Sequence, residues 1–318
     1  KNGVNVIIVD HHKEGTCLPD AYAIVNPNKK SDKSGLKNLC AAGVTFFLIV
    51  AINRELKKNN FLSNNLNLLE FLDLVALGTI CDIVNLDTVN RAFVKQGLKI
   101  FKNSSNIGLL SILNEASIVD KVSCYHLGFI IGPRINAGGR VGKSSLGAEL
   151  LLTSDKNLAQ VMAHKLSEYN NLRKIIEKKV ENEAISKVDI KKKIICVRSK
   201  GWHPGVIGIV ASKLTEKYNK PSIVISEDDD LCKASCRSIK GFDIGNLILE
   251  AVKNTIIESG GGHKMAGGFT IKKDNVVKLL NYLENYRFQS SSEIKKSYDS
   301  ELRLSSINRS LFKNIEKF

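Results

Sequence analysis

The feature that most constrains the fold is a short, almost unbroken run of β-branched residues near the start of the chain. Residues 4–9, Val-Asn-Val-Ile-Ile-Val, are typical of a buried strand, and they are followed at once by Asp10, His11 and His12. In an open parallel sheet, ligands collect beyond the carboxyl ends of the strands. The run therefore predicts an α/β fold with a carboxylate and two imidazoles at the ligand-binding edge of a parallel sheet.

The Asp-His-His triplet is compatible with a metal site and with a simple turn. Imidazole nitrogen and carboxylate oxygen together suit Mn²⁺, Zn²⁺ or Fe²⁺, whereas in the alternative Asp10 only caps the next segment. Asp82 strengthens the metal hypothesis, because it lies in the apolar segment FLDLVALGTICDIVNL (residues 71–86), where a buried helix is predicted to run into it. A carboxylate surrounded by apolar residues is costly unless a cation or a hydrogen-bond donor satisfies it. Backbone amides at the helix end are the alternative partner.

A long helical pattern divides the chain. Between residues 154 and 188, apolar residues recur at steps of three or four, which predicts one helix of about 35 residues and about 50 Å. A helix of this length more often bridges two domains than lies inside one. We therefore expect a first α/β domain at residues 1–153, a linking helix at 154–188, a smaller α/β domain at 189–288, and a linker with the start of a further region at 289–318.

Composition restricts both partners and compartment. The net charge of +15 and the sequence pI near 9.4 favour a phosphate-carrying partner such as nucleic acid, although abundant lysine is also explained by compositional drift. The seven cysteines are widely spaced, which predicts reduced thiols in the cytoplasm and not a disulfide framework. Cys232 and Cys236 are better explained as strand residues than as zinc ligands. No apolar run reaches the roughly 18 residues needed to cross a bilayer, so no membrane partner is expected.

Two glycine-rich segments predict phosphate binding. GPRINAGGR (residues 132–140) breaks all periodicity and is expected to be a loop, on which Arg134, Asn136 and Arg140 form a phosphate clamp or an ordinary surface turn. SGGGHKMAGG (residues 259–268) has five glycines, more than the two that a hairpin needs. Its backbone N–H groups at Gly261 and Gly262 can therefore reach an anion, together with His263. Ser235 and Arg237, on the predicted strand before it, could face the same anion.

Taken together and in this order, these segments resemble the DHH/DHHA1 phosphoesterase superfamily, and within it the RecJ family of bacterial single-strand-specific 5′→3′ DNA exonucleases. The likeness covers nearly the whole chain. The Asp-His-His triplet marks only the superfamily, whereas RINAGGR and WHPGVIGIVASKL are much more typical of RecJ. The remaining segments that carry the resemblance are AIVNPN, LCAAGVTFFL, NRAFVKQGLK, SLGAELLLT, KASCRSIKGFDI and GGGHKMAGGF, with the helix that leads into Asp82.

The resemblance implies a role for each candidate residue. It implies that His11 and Asp82 are metal ligands, that Asp10 orients or ligates, and that His12 lies near the scissile phosphate. Two Mn²⁺ or Mg²⁺ ions would activate water and neutralise the leaving oxygen. It implies single-stranded DNA as substrate, in DNA repair and recombination, with single-strand-binding protein and a helicase as further partners. The residues implied to hold substrate are Arg134, Asn136 and Arg140 in the first domain and Ser235, Arg237, Gly261, Gly262 and His263 in the second.

The chain also departs from the family pattern. Only nine residues precede Asp10, whereas the family has Asp-rich motifs, one of D-x-D type, on strands before the triplet. An OB-type DNA-binding domain follows in the family, and here only its start is expected. Gly138 stands where the family normally has Ala. Because ligand number governs metal affinity, we expect an incomplete two-metal site and little or no nuclease activity from this polypeptide alone.

Two other functions remain open. One is a DHH phosphodiesterase that acts on oligoribonucleotides or cyclic dinucleotides, and the other is a non-catalytic remnant that binds single strands through its basic second half. A surface that clamps many phosphates predicts a steep salt dependence of binding, whereas a small substrate predicts a flat one.

Overall fold

The computed structural model describes residues 3–15, 17–61, 66–101, 103–119, 121–287 and 298–315. The chain divides into two compact units, one formed by residues 1–183 with 203–206 and the other by residues 184–202 with 207–318. Every helix in the described part is too short or too polar to span a membrane.

The first unit combines one pair of strands with nine helical segments in its described part. Strands β1 (Ile7–Val9) and β2 (Ala23–Val25) are parallel and paired from Ile7↔Ala23 to Val9↔Val25. The parallel strand predicted over residues 4–9 is therefore confirmed in its last three residues, but its predicted burial was wrong, because Ile7 is 58% exposed and Ile8 and Val9 are no more than half-buried. The helical segments are α1 (Ala41–Lys58), α2 (Leu72–Cys81), α3 (Thr88–Phe101), α4 (Ile107–Glu115), a π-helix (His126–Ile131), α5 (Gly132–Ile135), α6 (Ala137–Val141), α7 (Leu146–Leu152) and α8 (Lys156–Ser186), with a 3₁₀ turn at Leu68–Phe71 before α2.

Helix α2 lies at the centre of the first unit. Most of its residues are apolar, as expected for a buried helix, and Val75, Ala76 and Leu77 are almost fully inaccessible. Its buried carboxylate, Asp73, accepts a hydrogen bond from Ser104. Its crossing with α3 is very close, because a Cβ placed on Gly97 would lie 2.2 Å from the carbonyl oxygen of Leu72. This crossing fixes the axis of α2, at whose carboxyl end Asp82 lies.

The long helix is confirmed, but its first half is a core element. Helix α8 covers 31 residues, close to the predicted range of 154–188. Ala159, Ala163 and Leu166 are fully buried in the hydrophobic core of the first unit. The side chain of Asp155 accepts hydrogen bonds from the first amides of the helix and so caps its start.

The segment GPRINAGGR is helical, so the prediction of a loop was wrong. The π-helix continues directly into α5 and α6. Its glycines provide room and not turns: a Cβ on Gly132 would lie 2.4 Å from Cys81 Sγ, and one on Gly138 would lie 2.4 Å from the carbonyl oxygen of Lys143. Pro133 lies at the start of α5, directly after the π-helix.

The second unit is a five-stranded mixed sheet with helices. The strand order is β3-β4-β5-β7-β6, with β3 and β4 parallel and all other neighbours antiparallel. The elements are β3 (Ile195–Lys200), α9 (Pro204–Tyr218), β4 (Ser222–Glu227), β5 (Leu231–Arg237), α10 (Ile244–Lys253), β6 (Ser259–His263), β7 (Ala266–Lys272), a 3₁₀ turn (Lys273–Asn275) and α11 (Val276–Asn285). The predicted second α/β unit is confirmed, and α9 begins in residues that group with the first unit.

The Gly triplet lies in a β-hairpin, and rejecting a hairpin there was wrong. Strand β6 pairs with β7 across the two residues Lys264 and Met265. The additional glycines are required along the strands: a Cβ on Gly260 would lie 2.6 Å from Phe269 Cβ, and one on Gly267 would lie 2.4 Å from Ile248 Cδ1 of α10. The glycines thus allow α10 to pack closely on the hairpin.

Three smaller predictions have different outcomes. Cys232 and Cys236 are buried in β5, as expected for strand cysteines. The first part of the predicted linker, residues 289–297, lies outside the described residues. In the last region, residues 298–315 form a 3₁₀ turn (Leu304–Ser306) and α12 (Arg309–Ile315), so the OB-type start at 289–318 remains a prediction.

Candidate functional site

The carboxylate of Asp10 organises the segment that follows β1. Asp10 extends the strand pairing by donating its N–H to the carbonyl oxygen of Val25 at 3.0 Å. Its Oδ1 accepts the backbone N–H groups of His11 (2.7 Å) and His12 (3.2 Å) and also contacts His12 Nδ1 at 2.8 Å. The side-chain hydrogen bond with His12 is the largest cause that lowers the pKa of Asp10, and burial opposes it. Asp10 therefore caps its turn, as in the alternative of a simple turn, and it also orients His12.

His11 and Asp82 lie next to each other although 71 positions separate them in sequence. His11 Nδ1 is 3.5 Å from Asp82 Oδ2. The Asp82 side chain is 42% exposed, so the expectation that apolar residues surround it was wrong. The reason is its position as the residue that follows the last turn of α2, where the chain reaches the surface. Among the described residues no backbone amide donates to the Asp82 carboxylate, which removes the alternative of a simple helix-end cap.

The geometry of this cluster fits a divalent cation. Asp10, His11 and His12 each offer a ligand atom, and these atoms all lie within 4.8 Å of one another. An octahedral ion with bonds of about 2.1 Å holds neighbouring ligand atoms about 3 Å apart. The 3.5 Å between His11 and Asp82 is close to that spacing. Imidazole nitrogen with carboxylate oxygen is a donor set that Mn²⁺ accepts.

The helix that carries Asp82 is packed against the π-helix and α5. Cys81 Sγ donates to the carbonyl oxygen of Leu127 at 3.6 Å, and Gly132 makes room for the same sulfur atom. The RINAGGR segment is thereby placed beside the carboxyl end of α2. This packing places residues 132–140 and Asp82, the partner of His11, within one unit.

The thiol next to Asp82 provides a chemical test of this packing. Burial raises the pKa of Cys81 to about 11 and that of Cys196 to about 12, whereas Cys17 and Cys124 are exposed. We expect two of the seven thiols to react rapidly with Ellman's reagent at pH 8, and all seven in denaturant, because only the thiolate reacts. The double variant Cys17→Ser/Cys124→Ser should then show no rapid phase. A rapid phase that persists in this variant would contradict the described packing around α2.

The three polar residues of RINAGGR have different surroundings. Arg134 donates to Ser167 Oγ at 3.2 Å and to the carbonyl oxygen of Ile130 at 2.9 Å, so its guanidinium ties the π-helix to α8. Burial lowers the pKa of Arg134, and the charge of Glu115 opposes this effect. Arg140 donates to the carbonyl oxygen of Gly205 at 3.1 Å. Asn136, by contrast, is exposed at the junction of α5 and α6.

In the second unit the register of three strands brings all of the predicted phosphate-binding residues except Gly262, which pairs with Gly267 in the row between, onto one face. Ser235 pairs with Gly268, which pairs with Gly261, and Arg237 pairs with Ala266, which pairs with His263. Residues paired across neighbouring strands share a face of the sheet. The middle strand contributes only Gly and Ala to these two rows, so no large side chain separates β5 from β6.

Arg237 is the most informative residue of this face. Its Nη1 donates to the carbonyl oxygen of Cys236 at 2.8 Å and lies 3.5 Å from Ser235 Oγ. Burial lowers the pKa of its guanidinium, and no carboxylate within the described residues forms an ion pair with it. A partly buried cation without an acidic partner is costly unless an anion completes the site. On the same face, a Cβ on Gly208 of α9 would lie 3.0 Å from Ser235 Oγ.

The first two side chains of the segment WHPGVIGIVASKL have structural surroundings. Trp202 is only 3% exposed, and Lys187 Nζ lies 5.3 Å from the centre of its ring. Its neighbour His203 accepts the backbone N–H of Gly205 at 3.0 Å and so caps the start of α9. Both side chains stabilise the fold around the start of α9.

Two asparagines that were not among the predicted site residues contact the segment of His11 and His12. Asn26 and Asn28 follow β2 and donate hydrogen bonds to the backbone of His12 and His11, each at 2.8 Å. The sequence feature that could have identified them is their position directly after the second parallel strand, at the same sheet edge as Asp10.

Comparison with known proteins agrees with this architecture. Residues 1–79 match the DHH family, N-terminal domain, and residues 191–287 match the DHHA1 domain. The chain is 35% identical to the single-stranded-DNA-specific exonuclease RecJ of Haemophilus influenzae, over 86% of this chain and 50% of that protein. It is 34% identical to RecJ of Bacillus subtilis, over 88% of this chain and 35% of that protein.

Solved structures give the same result. The crystal structure of exonuclease RecJ bound to manganese superposes with a TM-score of 0.75 at 31% identity, over 91% of this chain and 71% of that one. The structure of RecJ from Thermus thermophilus in complex with Mn²⁺ superposes with a TM-score of 0.77 at 30% identity, over 90% of this chain and 42% of that one.

A DHH unit followed by a DHHA1 domain defines the class of DHH/DHHA1 phosphoesterases. Within that class, the chain belongs to the RecJ family. It spans about half the length, or less, of the curated relatives described above.

Proposed function

We propose that this chain carries the DHH and DHHA1 parts of a metal-dependent, single-strand-specific 5′→3′ DNA exonuclease. The observation that carries the proposal is the approach of His11 to Asp82, at 3.5 Å, in a chain of the RecJ family. Related RecJ structures have been solved with manganese and with magnesium. We infer the same ions here, in the cytoplasm, with single-strand-binding protein and a helicase as candidate partners.

The residues of the first unit would divide the work as follows. His11 and Asp82 would hold a divalent ion, whose chemistry is to lower the pKa of water and to neutralise charge on the phosphate. Asp10 would orient His12 through its hydrogen bond at 2.8 Å, so that one ring nitrogen faces the substrate phosphate. Asn136 is exposed and available to the DNA, whereas Arg134 would act by holding the π-helix in place.

The second unit would hold the single strand by its phosphates. Arg237 and Ser235 offer a guanidinium and a hydroxyl on one face of the sheet, and His263 lies two strands away on the same face. Gly261 has no atom within 4 Å of where a Cβ would be, so a phosphate can approach its backbone closely. The net charge of +15 supports a polyanionic substrate.

Titration of a fluorescent single-stranded oligonucleotide over a salt range of about 50–200 mM tests this proposal. We expect Arg237→Gln to weaken binding by about tenfold or more, and to reduce the slope of log K against log salt by about 0.7. Arg198→Gln is the matched control, because Arg198 lies on β3 of the same sheet and already pairs with Glu227. A flat salt dependence in the unsubstituted chain would favour the small-substrate phosphodiesterase instead. Equal effects of the two substitutions would remove Arg237 from the substrate site.

A further inference from the structure

The main chain of His11 and His12 is bonded entirely by side chains. Both backbone N–H groups donate to Asp10 Oδ1. The carbonyl oxygen of His12 accepts from Asn26 Nδ2, and that of His11 accepts from Asn28 Nδ2, each at 2.8 Å. Strand pairing with β2 ends at Val9, and Asp10 makes the last backbone bond to that strand. Beyond that point, these side chains determine where the two imidazoles lie.

The two asparagines are themselves held in place. Asn26 is 6% exposed, and its Oδ1 accepts the backbone N–H of Asn28 at 2.8 Å. Asn28 Nδ2 makes a second bond, of 3.0 Å, to the carbonyl oxygen of Lys37. The loop that they hold lies partly at the surface, since the His12 side chain is 68% exposed and the His11 side chain is 18% exposed. The amides thus fix the backbone of the two histidines where strand pairing no longer does.

The loop after Asp82 is tied to the same place. Asn90 Nδ2 donates to the carbonyl oxygen of Asn85 at 2.8 Å and to that of Asn38 at 2.7 Å. Lys37 and Asn38 are consecutive, so the segment of His11 and the loop of Asp82 are both anchored on one dipeptide. Asn38 adds a bond of its own, from Nδ2 to Asp87 Oδ2 at 3.2 Å.

Asn90 is retained at a cost to the fold. It is fully buried, and its Oδ1 has no hydrogen-bond partner among the described residues. A buried acceptor without a donor is destabilising, so packing alone does not explain an amide at this position. What the amide contributes is its pair of bonds, which join the loop after Asp82 to the dipeptide.

We propose that Asn28 and Asn90, with Asn26 in support, are positioning residues of the metal centre. Through their shared anchor at Lys37-Asn38 they hold His11 Nδ1 and Asp82 Oδ2 at ligand spacing. This inference rests on the proposed function, because it assigns the spacing to a divalent ion. Removing a residue that holds a metal ligand in place, without binding the metal itself, typically lowers metal affinity by about 10–100-fold.

The test compares Mn²⁺ affinity with thermal stability. Mn²⁺ binding to the full chain is followed by electron paramagnetic resonance, and Tm is measured on the same samples without metal. We expect Asn28→Ala and Asn90→Leu each to weaken Mn²⁺ binding by about 10–100-fold. In the double variant Asn28→Ala/Asn90→Leu, the fold loss of Mn²⁺ affinity should be smaller than the product of the two single losses, because both residues act through the dipeptide Lys37-Asn38. Asn28→Gln retains the donor and should recover part of the affinity.

The matched control is Asn106→Ala. Asn106 also donates to a backbone carbonyl in the first unit, that of Leu151 at 2.8 Å, and it caps α4. The Asn106→Ala substitution should lower Tm and leave Mn²⁺ affinity unchanged. If Asn28→Ala and Asn90→Leu behave like this control, the inference is overturned while the proposed function stands. If the unsubstituted chain binds no Mn²⁺, both are overturned.

A second measurement does not depend on metal. Hydrogen exchange of peptides that cover residues 10–14 and 82–87 is compared in the metal-free variants. We expect either substitution to accelerate exchange in both segments, because each loop is anchored on the same dipeptide. Acceleration confined to the substituted side would show that the two loops are not coupled and would overturn the inference.

Discussion

Replacing Asp82 by asparagine is expected to weaken Mn²⁺ binding by more than about 100-fold. This loss exceeds the one expected for a residue that only positions a metal ligand. The substitution keeps the size of the side chain and removes its charge, and the Asp82 backbone keeps its bond to the carbonyl oxygen of Gly78. No backbone amide of the described residues depends on the carboxylate, so the Tm of the metal-free chain should change little. Isothermal titration with Mn²⁺ measures the loss, and any Mn²⁺-dependent cleavage of single-stranded DNA should fall with it.

The control for this variant is Asp229→Asn. Asp229 is exposed in the second unit and pairs with Lys200 at 2.9 Å, so the substitution removes the same charge from a different place. Mn²⁺ affinity should be unaffected. Binding of Mn²⁺ by Asp82→Asn with the affinity of the unsubstituted chain would exclude Asp82 as a ligand.

Gly97→Ala is expected to destabilise the first unit by about 3 kcal/mol, at the upper end of the usual cost of overpacking. The new Cβ would meet the carbonyl oxygen of Leu72 at 2.2 Å and Ala76 Cβ at 2.5 Å. Backbone cannot rotate away as a flexible side chain can, so α2 must move away from α3. At about 2–4 °C per kcal/mol, the Tm of this unit should fall by about 6–12 °C. Because Asp82 follows α2, Mn²⁺ binding should weaken as well.

Two further variants make this prediction specific. Gly139→Ala introduces the same methyl group into a helix where nothing lies within 4 Å, so stability should be unchanged or slightly raised. Ala76→Gly combined with Gly97→Ala should restore only a small part of the loss, since the Leu72 carbonyl remains in the way. Full recovery in the double variant would show that the side chain, and not the backbone, sets the α2–α3 distance.

Residue type and position at the end of a strand and of a helix singled out Asp10, His11 and Asp82 as candidates. The structure places His11 next to Asp82, and their roles at a metal stay a prediction. The two errors in local structure both involved glycine. In GPRINAGGR and in SGGGHKMAGG the glycines were taken as signs of backbone freedom, whereas Gly132 and Gly267 make room for a neighbouring helix. A sequence does not show which of these two properties of glycine is used, because the second depends on a partner distant in the chain.

What the sequence alone determined is the set of local properties: β-branched residues that form β1, apolar spacing that forms α8, and titratable side chains where regular elements end. Those properties depend on residues a few positions apart, so periodicity and composition record them. Only the tertiary structure decided that His11 meets Asp82, that Arg237 and His263 share one face of the sheet, and that Asn28 and Asn90 meet at Lys37-Asn38. These contacts join residues up to 71 positions apart, and they depend on strand register and helix packing, which no local pattern encodes.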